Sequence, residues 1–437
     1  MSLHARLLSA LAPWRRAAAW RVGFSGGLDS TVLLHLLATL DEREALPPLS
    51  AIHVHHGLQA AGDAWPAHCE AFCRGLGVPL RVEYVQVAAG ASLERAARRA
   101  RYDAFAKHLK TTDCLLAAQH RDDQAETLLF RLLRGAGVRG LAGIPAARAL
   151  GRGTLVRPLL EVSRGELEAY AREQGLRWVE DPSNADTDFA RNYLRQRVLP
   201  QLAERWPHAA SNIARSAAHL AEAEGLLGEL ARQDIAAAQA AHAFDWLGVP
   251  SLALEPLLRL SDSRQRNALR HWLEPFTDMP DSAHWAGWQA LRDAAGDAEP
   301  IWRLGGGELR RSGGRVWWLA GAWLRAVDFE LGWPDPLRAL ALPDNGALRL
   351  DGTPPVGPLR VTLRRGGERL QLDRRGQRDL KRLLNENAVP AFARMRLPLL
   401  WRGPELLGVA NLPALRRTGE QGWTLHWTPP TNDSGLS

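Results

Sequence analysis

Four short apolar runs in the first 200 residues constrain this chain more than any other feature. They lie at Trp20 to Phe24, Ser50 to Val54, Leu80 to Val85 and Cys114 to Ala118, each bounded by turn-forming residues and followed by a segment of helical periodicity. Strands that alternate with helices in this way pair as parallel neighbours, and the connecting helices cover both faces of the sheet. The expected class is therefore α/β, with an N-terminal Rossmann-like parallel sheet. In open sheets of this kind, ligands bind beyond the carboxyl ends of the strands, where strand order reverses. Chemistry is to be sought just after each apolar run.

The chain of 437 residues is longer than one hydrophobic core usually organises, so further domains are expected. Residues from about 208 to 300 are rich in Ala and Leu at helical spacing, and 301–330 read as short strands joined by Gly-rich turns. Pro354, Pro355 and Pro358 mark a junction. The expected division is an α/β domain over 1–205, a mainly helical domain over 206–343 and a small basic α+β domain over 344–437.

Charge supports that division. The formal net charge is +7, and only three of the 55 basic residues are lysine. A GC-rich genome would give such an arginine excess without functional meaning, so its distribution has to decide. Residues 359–417 hold 14 Arg and Lys against 5 Asp and Glu, which leaves the rest of the chain slightly acidic. A regional excess of this kind suits a phosphate-bearing partner. No apolar run nears the roughly 20 residues of a membrane helix, and arginines break up the apolar N-terminal stretch. Cys69, Cys73 and Cys114 fit neither a disulfide framework nor a four-ligand zinc site. A soluble protein of the reducing cytoplasm is expected, with oligomeric state, a homodimer included, left open.

The loop after the first run is Ser25-Gly26-Gly27-Leu28-Asp29-Ser30, leading into the helical segment TVLLHLLATL. Paired glycines allow close approach of backbone N–H groups, the serines add donors, and the helix N-terminus adds positive potential: this is an anion cradle. It lacks the Gly-Lys-Ser/Thr of a Walker A loop and the GxGxxG of a dinucleotide fingerprint. An ordinary capped strand-to-helix turn is the plainer reading. Asp29 would repel a phosphate unless a cation intervened, which points to magnesium between acid and nucleotide. After the second run stands His53-Val54-His55-His56-Gly57-Leu58. His53 and His55 share one strand face and His56 the other, so nucleotide contact or packing fits better than a closed metal site.

Three more segments follow. In SLERAARRARYDAF (92–105), helical spacing places Glu94, Arg98, Arg101 and Tyr102 on one face, though solvated charge is the default for such a run. In AAQHRDDQAETLLFRLLRGAG (117–137), Asp122, Asp123 and Glu126 gather at a helix start, more acids than one cap requires. They suit either a substrate ammonium or a second cation. In VEDPSNADTDFARNYLRQRVLPQL (179–202) the polar frame includes Arg191, Asn192 and Arg195, for which a capped loop and interdomain helix is the plainer account.

Together these segments resemble the lysidine synthetases of the N-type ATP pyrophosphatase, or PP-loop, superfamily. SGGLDS is similar to that superfamily's pyrophosphate loop; the HVHHGL segment, the E-x-x-x-R-x-x-R-Y helix and the HxxDDxxET segment narrow the match, as does the 179–202 string. Gln119 departs from the pattern where many relatives carry histidine. In the basic window, Arg378, Leu380, Lys381 and Leu383 resemble the family's R-x-L-K-x-L core, with Gln377 in place of a common histidine, and Pro390 to Leu400 match a further stretch. The resemblance implies an ATP-dependent ligase that joins free L-lysine to the wobble cytidine of the CAU-anticodon isoleucine tRNA through an adenylated cytidine. It implies that Ser25, Gly26, Gly27, Leu28, Asp29, Ser30, His53 and His55 bind ATP, with magnesium on Asp29. It casts Asp29, Arg98, Arg101, Asp122 and Asp123 as catalytic. Lysine or tRNA would fall to Asp122, Asp123, Glu126, Arg191, Asn192 and Arg195, and to Arg364, Arg378 and Lys381 in the basic window. Competing readings are a PP-loop tRNA thiolation enzyme, disfavoured because no C-x-x-C occurs, and a noncatalytic RNA-binding protein, disfavoured by the intact loop and acid cluster.

Overall fold

The structure, a computed structural model, describes residues 1–41, 46–57, 60–87, 93–278, 284–295 and 298–432. It forms two compact units, Met1–Leu226 and Leu227–Ser437. The first begins with α1 (Leu3–Leu11), β1 (Trp20–Gly23), α2 (Leu28–Asp41), β2 (Leu49–His55), α3 (Trp65–Gly75), β3 (Leu80–Tyr84), α4 (Leu93–Lys107) and β4 (Cys114–Leu116). Next come α5 (Arg121–Leu132), the single turn α6 (Val138–Leu141), a hairpin of β5 (Ala147–Leu150) and β6 (Gly153–Val156), and α7 (Arg164–Glu173). The unit closes with α8 (Ala190–Tyr193), a π-turn at Leu194–Val198, α9 (Leu199–Arg205) and the start of α10 (Ala209–Ala238).

The strands lie in the order β3-β2-β1-β4-β6-β5, parallel throughout except at the β5 edge. All four apolar runs are strands. The β5–β6 hairpin is an addition: its strands are short, and the arginines of ARALGRGTLV obscure the alternation. Trp20 and Val22 face a core with Val32, Leu33, Leu36 and Leu37 of α2, and Ile52, Val54 and Leu115 face Phe105 of α4 on the opposite side. Helix α2 packs against β1, α1 and α7, which is why it is apolar nearly all round. Truncating Leu33 or Leu36 to Ala would cost roughly 2–5 kcal/mol and loosen the helix that carries the Ser25–Ser30 loop. Strand order reverses at β1, so the loops after β1 and β4 open side by side.

In the second unit, β7 (Ser251–Ala253), α11 (Leu254–Leu258), α12 (Asp262–Leu273), α13 (Trp285–Asp293), β8 (Ile301–Leu304), β9 (Gly307–Ser312) and β10 (Arg315–Ala320) build helices against an antiparallel sheet of order β7-β10-β9-β8. The expected glycine turn is there: Gly313 and Gly314, at φ 59° and 71°, form the two-residue loop between β9 and β10. The remainder comprises β11 (Glu330–Trp333), β12 (Leu340–Ala341), β13 (Ala347–Gly352), β14 (Leu359–Thr362), β15 (Arg369–Leu372), β16 (Gly376–Asp379), α14 (Leu380–Glu386), α15 (Ala391–Arg394), β17 (Leu399–Arg402), β18 (Glu405–Val409) and β19 (Trp423–Thr428). These make a small α+β assembly of antiparallel sheets around Trp323, Trp333, Trp423 and Trp427.

Candidate active site

The loops beyond β1, β2 and β4 border one cavity of about 1190 Å³. Ser25, Gly27, Leu28, Asp29, Ser30, His53, His55, Arg98, Arg101, Asp123, Glu126, Arg191 and Arg195 all line it. Gly26, Asp122 and Asn192 are not among its lining residues, for identifiable reasons. Gly26 sits at φ 82°, its carbonyl accepts from the Val179 N–H at 2.9 Å, and a Cβ there would lie 3.0 Å from Cys69 Sγ. It sets the shape of the loop. Asp122 accepts from the backbone N–H of Arg164 at 2.9 Å and so caps the start of α7. Asn192 donates to the carbonyls of Ser183 and Asp186, both at 2.8 Å, and pins the loop between them.

In the β1 loop, the Ser25 N–H donates to Ser30 Oγ at 3.2 Å, and Ser30 Oγ donates to the Gly27 carbonyl at 3.1 Å. The bond from Thr31 N–H to the Gly27 carbonyl, 3.0 Å, opens the ladder of α2. The N–H groups of Leu28, Asp29 and Ser30 therefore precede the ladder and cluster where an anion would sit.

Across from the loop is the acid cluster. His120 caps α5 in a reciprocal box with Asp123: the His120 N–H donates to Asp123 Oδ2 at 2.9 Å, and the Asp123 N–H to His120 Nδ1 at 3.4 Å. His120 Nε2 lies 3.7 Å from Asp29 Oδ2 and 3.5 Å from Asp123 Oδ2, which ties the two loops together. Glu126, buried on the next turn, accepts a two-pronged bond from Arg195 at 2.6 and 2.8 Å, and Arg195 also reaches Asp123 at 3.4 Å. Burial pulls against the Arg195 guanidinium, but the hydrogen bonds and charge of Glu126 outweigh it and hold the cation more firmly than usual. Asp29 is different. Burial, with the nearby charge of Asp123, pushes its carboxyl up against the opposing pull of His120, and its Oδ1 is buried without a hydrogen-bond partner among the described residues.

That orphaned oxygen fits a cation, which would satisfy it and relieve the repulsion between Asp29 and an anion in the loop. Among the described residues no three His, Cys, Asp or Glu side chains are grouped to hold a metal, so phosphate oxygens and water would supply most of its coordination.

A third wall is cationic. Arg98, Arg148 and Arg101 lie over the Tyr102 ring at 5.0, 5.2 and 5.9 Å. Burial opposes ionisation of the phenol, but Arg98, Arg157 and Arg101 prevail and lower its pKa. Burial lowers the pKa of Arg131, and the charges of Arg191 and Arg98 add to the effect. Guanidiniums crowded to this degree suit a polyanion. The side chain of Glu94 and residue Leu58 lie outside the described residues.

Comparison with known proteins agrees along the whole chain. The PP-loop domain profile matches residues 1–202, the TilS substrate binding domain 252–317 and the TilS substrate C-terminal domain 359–427. The tRNA(Ile)-lysidine synthase of Pseudomonas fluorescens (strain Pf0-1) is 62% identical over 436 residues, 100% of this chain and 99% of the relative. Its namesake in Pseudomonas aeruginosa (strain PAO1) is 63% identical, again over 100% of this chain and 99% of the relative. The synthase of Escherichia coli O157:H7 is 41% identical over 89% of this chain and 91% of the relative. This chain belongs to the tRNA(Ile)-lysidine synthase family.

Several cavity residues of this family member escaped the sequence reading. Arg148 and Arg157 stand on and just after the unforeseen β5–β6 hairpin, so no strand end marked them. Buried Arg157 donates through Nε to Gln119 Oε1 at 3.0 Å, so Gln119 supplies an acceptor that orients it. Arg131 and Arg164 lacked a signal apart from being arginine. In the second unit, Arg378 and Lys381 are exposed and form no ion pair among the described residues, whereas Arg364 is largely buried, with Nε 3.5 Å from Glu368 Oε2.

Proposed function

We propose that this enzyme ligates free L-lysine to C2 of the wobble cytidine in the CAU-anticodon isoleucine tRNA, forming lysidine, AMP and pyrophosphate. The observation that carries the reading is the meeting, in one cavity, of an anion loop, a carboxylate cluster and a wall of guanidiniums. In this reading, ATP lies with its phosphates on the Ser25–Ser30 loop. Magnesium, held by Asp29, would neutralise charge on the phosphates. The cytidine O2 attacks the α-phosphorus, the bond to the β-phosphate oxygen breaks, and Arg98 and Arg101 stabilise the departing pyrophosphate. The lysine ε-amine, oriented by Asp123 and Glu126, then attacks C2 of the adenylated cytidine, and the C2–O bond breaks to release AMP. Adenylation matters because it turns a poor leaving oxygen into a good one.

Residues 1–205 carry the chemistry in this proposal, while 206–343 and 344–437 recognise tRNA, with Arg378 and Lys381 on its phosphates. A tRNA substrate and three free, buried cysteines fit an enzyme of the cytoplasm. Those cysteines weigh against the thiolation reading. Burial pushes the Cys69 thiol up to about 12 and those of Cys73 and Cys114 to about 11, so none is poised to carry sulfur as a thiolate. The test supplies ATP, radiolabelled lysine and isoleucine tRNA bearing the CAU anticodon. Label should enter the tRNA with release of AMP; AMP release without label in the tRNA would refute the lysine assignment. Cys69→Ala and Cys73→Ala should leave turnover intact.

A further inference from the structure

Beside the cavity, the C-terminal end of α5 and the α8 segment expose apolar side chains together with arginine. Leu132 and Leu133 are 51% and 76% exposed, and Phe189 and Tyr193 are 43% and 52% exposed. These segments are neighbours, because α5 packs against α6, α8 and the π-turn that follows. Arg131 fixes the corner by donating to the carbonyls of Gly140 and Gly143 at 2.7 and 2.9 Å. Neither aromatic belongs to a core cluster among the described residues, and of the polar residues between them Asn192 pins the 183–186 loop while Arg191 lines the cavity. Arg134 lies over the Phe130 ring at 5.2 Å, so its charge stays at the surface beside Leu133.

Apolar rings set among guanidiniums match one kind of ligand. A single-stranded RNA loop offers base faces for the rings and phosphates for the arginines, and sequence-reading proteins splay such loops over aromatic side chains. What favours RNA over other partners for these rings is their place: Arg131 and Arg191, on the same two segments, line the cavity. A wobble base can enter that cavity only if its neighbours in the anticodon loop are held outside it. We infer that Phe189 and Tyr193 form a stacking platform for the anticodon-loop bases flanking the wobble cytidine, with Arg134 and Arg191 taking the adjoining phosphates.

This inference rests on the tRNA reading above, and the experiment separates the two. The full-length enzyme is titrated with an anticodon stem-loop carrying 2-aminopurine next to the wobble position, and lysine transfer to full tRNA is measured in parallel. Wild-type enzyme should quench the fluorophore. Phe189→Ala and Tyr193→Ala should each lose most of that quench and raise the KM for tRNA about tenfold, with the KM for ATP unchanged. Tyr193→Phe should retain both properties, since a ring and not a hydroxyl is required. If wild-type enzyme quenches the probe but transfers no lysine, the platform stands and the lysine assignment falls. Alanine variants with wild-type quench and KM would overturn the platform. So would variants that change only the sedimentation of the free protein, because the patch would then be a contact between copies of this chain.

Discussion

In the first unit, eight arginines border one cavity: Arg98, Arg101, Arg131, Arg148, Arg157, Arg164, Arg191 and Arg195. In the second, the arginines of the basic window spread over the surface, and many already have partners. Arg360 and Arg365 share Glu330 at 2.6 and 3.0 Å, Arg375 and Arg382 share Glu386 at 2.7 and 2.9 Å, and Arg417 meets Glu405 at 2.7 Å. The same side chain thus does two jobs. Crowded inward, it builds a field that Asp123 and Glu126 answer only in part. Spread outward, much of its charge is answered locally, and exposed Arg369, Arg374, Arg378 and Lys381 form no ion pair among the described residues. Regional net charge therefore overstates the number of cations available to RNA.

If that division holds, damage to the chemistry of the cavity should stop turnover and spare affinity. Asp29→Ala is the extreme case: AMP formation should fall by at least about a thousandfold, since a bound cation contributes several kcal/mol of charge stabilisation. The dissociation constant for tRNA, measured by filter binding, should stay within a few fold. A matching loss of tRNA affinity would break the comparison.

Ion pairs provide the next test. Arg195→Ala strands the buried Glu126 carboxylate, which should cost roughly 3–5 kcal/mol in urea unfolding. Adding Glu126→Gln should recover part of that loss. Arg382→Ala, which removes a surface pair with Glu386, should cost about 0–1 kcal/mol. Similar costs would mean that the inner pair is no more desolvated than the outer.

The contrast was only partly legible in the sequence. Fold class and the loops at strand ends could be read because apolar periodicity and the glycine pair are local signals. The 120–126 cluster was also visible as a group. Its internal division was not, because which of Asp122, Asp123 and Glu126 faces the cavity depends on α7 and Arg195, elements 40 to 70 residues away in sequence. Likewise, Arg364 and Arg378 look alike in a basic string. Only the fold buries one beside Glu368 and leaves the other on an exposed strand.

Outer-set variants should show the reverse of Asp29→Ala. Arg378→Glu combined with Lys381→Glu should weaken tRNA binding about tenfold at low salt. The slope of log K against log salt should shrink by about 0.9 for each phosphate that the variant no longer neutralises. Turnover at saturating tRNA should be unchanged. Arg364→Gln should leave the salt slope as it is and act, if at all, on stability.

The smallest effect is one of pH, and it tests the inner set without changing its shape. Burial and Asp123 raise the Asp29 carboxyl above 3.8, so as pH falls it takes up its proton before an exposed aspartate would. AMP formation should therefore decline on the acid side while tRNA binding is still intact. The same shift has a stability counterpart of determined sign. A carboxyl whose pKa is raised by folding favours the fold fully below its unfolded value, and that favour is lost as pH rises through the folded value. At neutral pH the ionised Asp29 is therefore a burden on the protein free of nucleotide and metal. Asp29→Asn, measured by urea unfolding in chelator, should be more stable than wild type at pH 7, with the gain shrinking as pH falls toward 3.8. A variant no more stable at pH 7 would mean that the cavity already solvates this carboxylate, and its unpartnered oxygen would then no longer argue for a cation.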